Sequence, residues 1–161
     1  AIALLVDRSG SMGGKPLATS AMAAAAVAWR SPEDYSVIAF GKDVVVAKGQ
    51  TSTKSGEQVV NDVLALRGFG TTDLAGALLA AGDQLSRTRA GRRITVILSD
   101  CRATVEGDVQ AAARALDEVV ILAPLGDDAE ARVLASQVGA RIACIDGPSD
   151  IPSALQTVLG D

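Results

Sequence analysis

Short aliphatic runs alternate with longer helical patterns along the whole chain, and no other feature restricts the fold as strongly. The runs fall at Ile2–Val6, Tyr35–Phe40, Val44–Ala47, Ile94–Leu98, Val119–Leu122 and Ile142–Ile145. Most read as nearly continuous apolar sequence, as strands covered on both faces must. Between them, helical patterns cover Pro16–Trp29, Gly56–Leu66, Leu74–Leu85, Asp108–Leu116, Ala129–Val138 and Ile151–Leu159. Their ends carry fitting punctuation: Pro16 in a first turn, Ser31-Pro32 as a stop, Gly139 after a last turn and Pro152 just inside a start. Strands separated by helices pair in parallel through right-handed crossovers. Only Gly41-Lys42-Asp43 lies between the second and third runs, too little for a crossover, so that pair is expected to be a hairpin with the third strand an antiparallel edge. The pattern predicts an α/β fold: a doubly wound, mostly parallel six-stranded sheet with one antiparallel edge strand and helices on both faces.

With 161 residues, 48% of them hydrophobic, the chain can bury one sizeable core and not comfortably two, so residues 1–161 are expected to form a single domain. No initiator Met and no basic-then-apolar leader open it, and the first residues already read as a core strand, as expected of a piece of a longer chain. Aromatics make up 2%, so Ala, Val, Leu and Ile must fill the interior, and stacking platforms for single-stranded nucleic acid are lacking. A formal charge of −4 without any long Lys/Arg run also argues against nucleic acid as a partner. Arg87, Arg89, Arg92 and Arg93 read as a solvated helix end before a strand. The longest apolar stretch, Ala21–Trp29, is roughly half of what a bilayer crossing needs, so no membrane insertion is expected. Cys101 and Cys144 sit in no CxxC or Cys/His spacing and read as two buried thiols in a reducing cytoplasm. Histidine is absent, which removes the usual general base, the Ser/His and Cys/His pairs and the commonest transition-metal ligand. Any metal must be held by oxygen.

In open parallel sheets, ligands bind beyond the carboxyl ends of the strands, where strand order reverses. After the first strand comes Asp7-Arg8-Ser9-Gly10-Ser11, a carboxylate and two hydroxyls on a tight turn leading to a helix. After the fourth comes Ser99-Asp100, a second carboxylate. Between them in sequence, Gly68-Phe69-Gly70-Thr71-Thr72-Asp73 delivers hydroxyls just before a helix start. A hard divalent cation wants about six oxygens, and Mg²⁺ keeps waters where the protein does not displace them. Two carboxylates and three hydroxyls meet that demand and leave a position for an outside ligand. A shell rich in neutral hydroxyls keeps the ion electrophilic, so an acidic side chain of a partner is the natural sixth ligand.

Asp7-x-Ser9-x-Ser11, the Thr after the Gly-rich loop and Asp100 after an apolar strand resemble the metal-ion-dependent adhesion site (MIDAS) of von Willebrand factor type A domains. The resemblance runs the length of the chain. It implies that Ser9 and Ser11 bind the ion directly, that Thr joins them when a ligand is bound, and that Asp7 and Asp100 act largely through water. The family's Thr precedes a polar residue and then the first apolar residue of a helix, which fits Thr72-Asp73-Leu74, with Thr71 as the alternative. The implied ion is Mg²⁺, or else Mn²⁺ or Ca²⁺. The phrasing ALLVDRSGSM, GTTDLAGAL and ITVILSDCRAT is most similar to the bacterial intracellular branch, including magnesium-chelatase-like subunits, which implies an AAA-type ATPase system as partner. At the position after Asp100 relatives often carry Gly; here it is Cys101, which places a thiol near the ion.

Taken alone, Asp-x-Ser-x-Ser is also an ordinary helix cap. The joint placement of Thr72 and Asp100 on two further carboxyl-end loops is what capping does not require. Asp73 and Asp34 read as caps, and Asp127-Asp128 as charges complementing a helix start. Gly10 to Lys15 falls short of a phosphate loop, with Pro16 where Ser or Thr is required. The expected function is therefore a non-enzymatic, cation-dependent protein-binding module. The alternative is a Mg²⁺-dependent phosphoryl-transfer or hydrolytic enzyme similar to haloacid dehalogenases, with Asp7 as nucleophile. Ser9 stands where such enzymes carry a second Asp.

Overall fold

The computed structural model describes residues 1–8, 15–66 and 70–160. Its strands are β1 (Ile2–Asp7), β2 (Tyr35–Phe40), β3 (Val44–Lys48), β4 (Ile94–Leu98), β5 (Glu118–Pro124) and β6 (Arg141–Ile145). The helices are α1 (Lys15–Arg30), α2 (Gly56–Ala65), α3 (Leu74–Leu85), α4 (Val109–Arg114), α5 (Ala129–Val138) and α6 (Ile151–Leu159). The strands form one sheet in the order β3-β2-β1-β4-β5-β6, parallel throughout except for β3, which turns back antiparallel on β2. This is the doubly wound, mostly parallel sheet that the alternating pattern dictates.

Side chains of successive strand residues point to opposite faces, and both faces are buried. Ile2, Leu4 and Val6 of β1 pack with Ala23, Ala24 and Val27 of α1, Val59 and Val63 of α2 and Leu155 and Val158 of α6. Ala3 and Leu5 pack on the other face with Leu74, Leu78 and Ala81 of α3, Ala113 of α4 and Leu134 of α5. Small Ala side chains let the helices sit close to the sheet. Among the described residues, Tyr35 and Phe40 are the aromatic members of this interior, whereas Trp29 is 87% exposed on the outer side of α1.

Some boundaries differ from the sequence expectation for local reasons. Asp7 closes β1, because its backbone still pairs with Phe40. α4 is shorter than Asp108–Leu116, since the Asp108 carboxylate accepts the Ala111 N–H at 2.9 Å and so stands outside the helix as its cap. Asp34 caps no helix, contrary to its reading as a cap. Its carboxylate accepts hydrogen bonds from Gln50 Nε2 at 2.9 Å and from Thr88 Oγ1, tying together the amino-terminal edge of the sheet. Burial pushes that carboxyl up, but the Thr88 and Gln50 hydrogen bonds, with the chain's amino terminus and Lys48, hold it below its usual range. At the same edge the buried Lys48 ammonium donates to the carbonyls of Tyr35 at 2.6 Å and Gly49 at 3.0 Å. Among the described residues no helix is long and apolar enough to cross a membrane.

Candidate metal centre

β1 and β4 lie side by side in the middle of the sheet, and the chain leaves them in opposite directions. β1 leads to α1 on one face and β4 to α4 on the other. A crevice opens at such a reversal. The register pairs Val6 with Leu98, which puts the next residues, Asp7 and Ser99, level with each other. Ser99 Oγ donates to Asp7 Oδ2 at 2.6 Å and accepts the Cys101 N–H at 2.9 Å. Asp7 is only 4% exposed.

Asp100 follows, half-buried, with Oδ1 accepting the Arg102 N–H at 3.0 Å. Burial pushes its carboxyl above the ordinary value. The Arg102 N–H opposes this, and the negative charges of Asp7 and Asp127 add to it. The charge of Asp7 thus adds to what burial already costs the ionised form of Asp100.

The third element is the segment before α3. Thr72 is 3% exposed, whereas Thr71 faces solvent. The Thr72 N–H donates to Thr104 Oγ1 at 2.7 Å, and the Thr72 carbonyl accepts the N–H groups of Thr104 at 3.1 Å and Val105 at 3.2 Å. Asp73 is a cap, as read from the sequence: its Oδ1 accepts the Gly76 N–H at 2.9 Å. Its own N–H donates to the Gly41 carbonyl at 2.8 Å, while the Arg8 N–H donates to the Phe40 carbonyl at 2.6 Å. Gly41 is wedged between these loops: a Cβ there would stand 3.3 Å from the Arg8 carbonyl oxygen and 3.5 Å from that of Thr71. A closed circuit results. Asp7 holds Ser99, the segment after Ser99 holds Thr72, Asp73 holds Gly41, and Phe40 holds Arg8. The buried Arg8 side chain adds a further tie, with Nη1 donating to the Val63 carbonyl in the last turn of α2 at 3.1 Å.

Of the five predicted ligands, Asp7, Thr72 and Asp100 are brought to this edge. Ser9 and Ser11 lie outside the described residues. Ser99, Gly41 and Thr104 were not singled out by sequence reasoning. For Ser99 the signal was available, since a hydroxyl one residue beyond β4 must sit level with Asp7. Asp127 forms an ion pair with Arg102. Asp128 makes no capping hydrogen bond and instead holds Arg132 and Cys144 Sγ.

Cys101 adopts φ 62°, the left-handed conformation that favours Gly. Its side chain is buried. Burial, followed by the charges of Asp100 and Asp7, pushes the thiol up to about 12. It is therefore protonated at neutral pH and a poor nucleophile. Cys144 is half-buried rather than buried, because β6 is an edge strand.

Among the described residues no three His, Cys, Asp or Glu side chains cluster in a way that could hold a metal ion. A donor set of two carboxylates completed by hydroxyls nevertheless suits a hard, oxygen-seeking cation. The repulsion between Asp7 and Asp100 is a condition that a divalent cation relieves. The residues present fit such an ion.

A model of the von Willebrand factor type A domain matches residues 2–103. Among solved structures, von Willebrand factor type A from Catenulispora acidiphila has a TM-score of 0.74 at 18% identity, covering 97% of this chain and 41% of that one. The manganese-loaded TRAP protein of Plasmodium vivax has a TM-score of 0.73 at 17% identity, covering 98% of this chain and 72% of that one. Proximal thread matrix protein 1 of the mussel byssus, with a zinc-occupied MIDAS motif, has a TM-score of 0.70 at 16% identity, covering 98% of this chain and 46% of that one. The chain thus spans less than half of the mussel and Catenulispora proteins. At these identities the likeness is one of fold. Comparison with curated proteins finds no match. Since the family model takes in β1 to β4 together with Asp7, Thr72 and Asp100, and more than half of the chain, the chain belongs to the von Willebrand factor type A domain family.

Proposed function

We propose that the protein is a non-catalytic, cation-dependent protein-binding module. Mg²⁺, or Mn²⁺ or Ca²⁺, is held by Asp7, Ser9, Ser11, Thr72 and Asp100, and an acidic side chain of a partner protein binds to it. The observation that carries this reading is the placement of Asp7, Thr72 and Asp100 at one sheet edge, where burial and the charge of Asp7 raise the cost of ionising Asp100. Bound there, the ion supplies a positive centre that a carboxylate from outside can approach. Thr72 is preferred to Thr71 because it faces inward. The manganese-loaded and zinc-occupied relatives support the choice of a divalent ion. An AAA-type ATPase assembly in a reducing cytoplasm is the partner system that the sequence phrasing favours.

The enzymatic alternative has less support. Asp7 Oδ2 is already held by the Ser99 hydroxyl, and the buried Lys48 is committed to carbonyls at the opposite edge of the sheet, away from any phosphoryl group at Asp7. Calorimetric titration with Mg²⁺ and Mn²⁺ tests the two readings together with a phosphoester assay. The expected result is saturable ion binding that Ser9→Ala weakens by roughly 10–100-fold, with no phosphoester turnover. Turnover that depends on Asp7 would overturn the proposal in favour of the enzyme.

A further inference from the structure

We infer that Thr104, an exposed residue that the ion does not touch, is a positioning residue for Thr72; the inference rests on the metal-binding reading above. Thr72 must present its hydroxyl to the ion from a segment with no strand or helix of its own. Its backbone is fixed instead by the connection that follows β4. Thr104 Oγ1 accepts the Thr72 N–H at 2.7 Å, and the N–H groups of Thr104 and Val105 converge on the Thr72 carbonyl at 3.1 and 3.2 Å. A few residues on, the same connection presses against α3: a Cβ on Gly107 would stand 2.6 Å from Ala75 Cβ. Asp100 lies on this connection too. The backbone of Thr72 is therefore fixed by the same connection that carries Asp100.

The Thr104 hydroxyl is separable from the fold. Thr104 is exposed, so Thr104→Val removes one acceptor and leaves both backbone hydrogen bonds to the Thr72 carbonyl in place. The loss falls on the part-buried Thr72 N–H, whose peptide is then free to turn toward water and away from the position the ion needs. Thr104→Ser keeps the oxygen and discards only the methyl group. Partners that orient a ligand without touching the metal typically change affinity by about 10–100-fold.

Mn²⁺ affinity and amide hydrogen exchange at Thr72 in EDTA test the inference on the whole chain. Thr104→Val is expected to weaken Mn²⁺ binding about tenfold and to speed Thr72 exchange, with little change in melting temperature in EDTA. Thr104→Ser is expected to restore both. Gly107→Ala, which drives the connection off Ala75, is expected to weaken Mn²⁺ binding as well, and Ala75→Gly in the same chain to recover it. Unchanged Mn²⁺ affinity in Thr104→Val, or a failure of Thr104→Ser to restore it, overturns the inference while the unaltered protein still binds the ion. An unaltered protein that does not bind Mn²⁺ overturns the metal-binding reading and this inference with it.

Discussion

Asp100→Asn is expected to raise the melting temperature in EDTA and to cancel the gain that Mg²⁺ or Mn²⁺ gives the unaltered protein. Both effects come from the same charge. Burial, with Asp7 and Asp127 nearby, raises the folded-state pKa of Asp100 above its ordinary value of 3.8. A group raised in this way contributes stability that is fully present below the unfolded value and is lost as pH rises through the folded one. At neutral pH without metal, the ionised carboxylate is therefore a burden on the fold. Asn removes the charge and keeps an oxygen for the Arg102 N–H. The stability difference in EDTA should appear at neutral pH and fade toward acid. With metal the sign reverses, because the negative charge that was costly now attracts the ion. At an ion concentration about a hundredfold above Kd, binding stabilises the unaltered protein by ~2.7 kcal/mol, a shift of about 5–10 °C for a chain of this size. Asp100→Asn should lose most of it. Scanning calorimetry at pH 7 in EDTA and in Mn²⁺ checks both signs, and a variant that melts lower in EDTA and still gains from Mn²⁺ contradicts the electrostatic account.

Thr72→Val is expected to abolish partner capture as completely as EDTA does. Val keeps the shape of a side chain that is almost wholly buried, so the fold should tolerate it, while the ion loses a hydroxyl ligand. The partner's acidic side chain binds only where the ion is held, and loss of a ligand is expected to weaken ion binding by at least the roughly 10–100-fold that loss of a supporting partner costs. Proteins retained from an extract of the source organism by the immobilised domain in Mg²⁺ should be released by EDTA and absent with Thr72→Val. Thr71→Val should retain them, since Thr71 faces solvent. Retention that survives both chelation and Thr72→Val contradicts the metal bridge.

The architecture was legible because its signals are periodic and redundant. Aliphatic strands, helix punctuation and the short Gly41-Lys42-Asp43 connection all point to the same sheet, and the antiparallel β3 follows from that connection alone. The placement of Asp7 and Asp100 at one sheet edge was legible because strand ends at a reversal of strand order lie side by side, whereas Thr72 was picked out by the Gly-rich loop before it and by resemblance. What stayed hidden depends on side-chain partners across long sequence separations. Thr104 reaches Thr72 over 32 positions and Asp34 reaches Thr88 over 54, and neither pairing leaves a trace in local pattern. Asp34 read as a cap because an Asp near an element boundary usually is one, whereas here it binds the far edge together. The left-handed conformation of Cys101 leaves no trace in local pattern either.

The central claim is that oxygen atoms on separate turns share one divalent ion. Crystals grown with Mn²⁺ and measured at a wavelength where manganese scatters anomalously test it most directly. The account predicts one strong anomalous peak at the carboxyl ends of β1 and β4, bonded to hydroxyl oxygens of Ser9, Ser11 and Thr72 and within a water's reach of Asp7 and Asp100. A protein saturated with Mn²⁺ that shows no peak there, or shows one bonded to other residues, would contradict it.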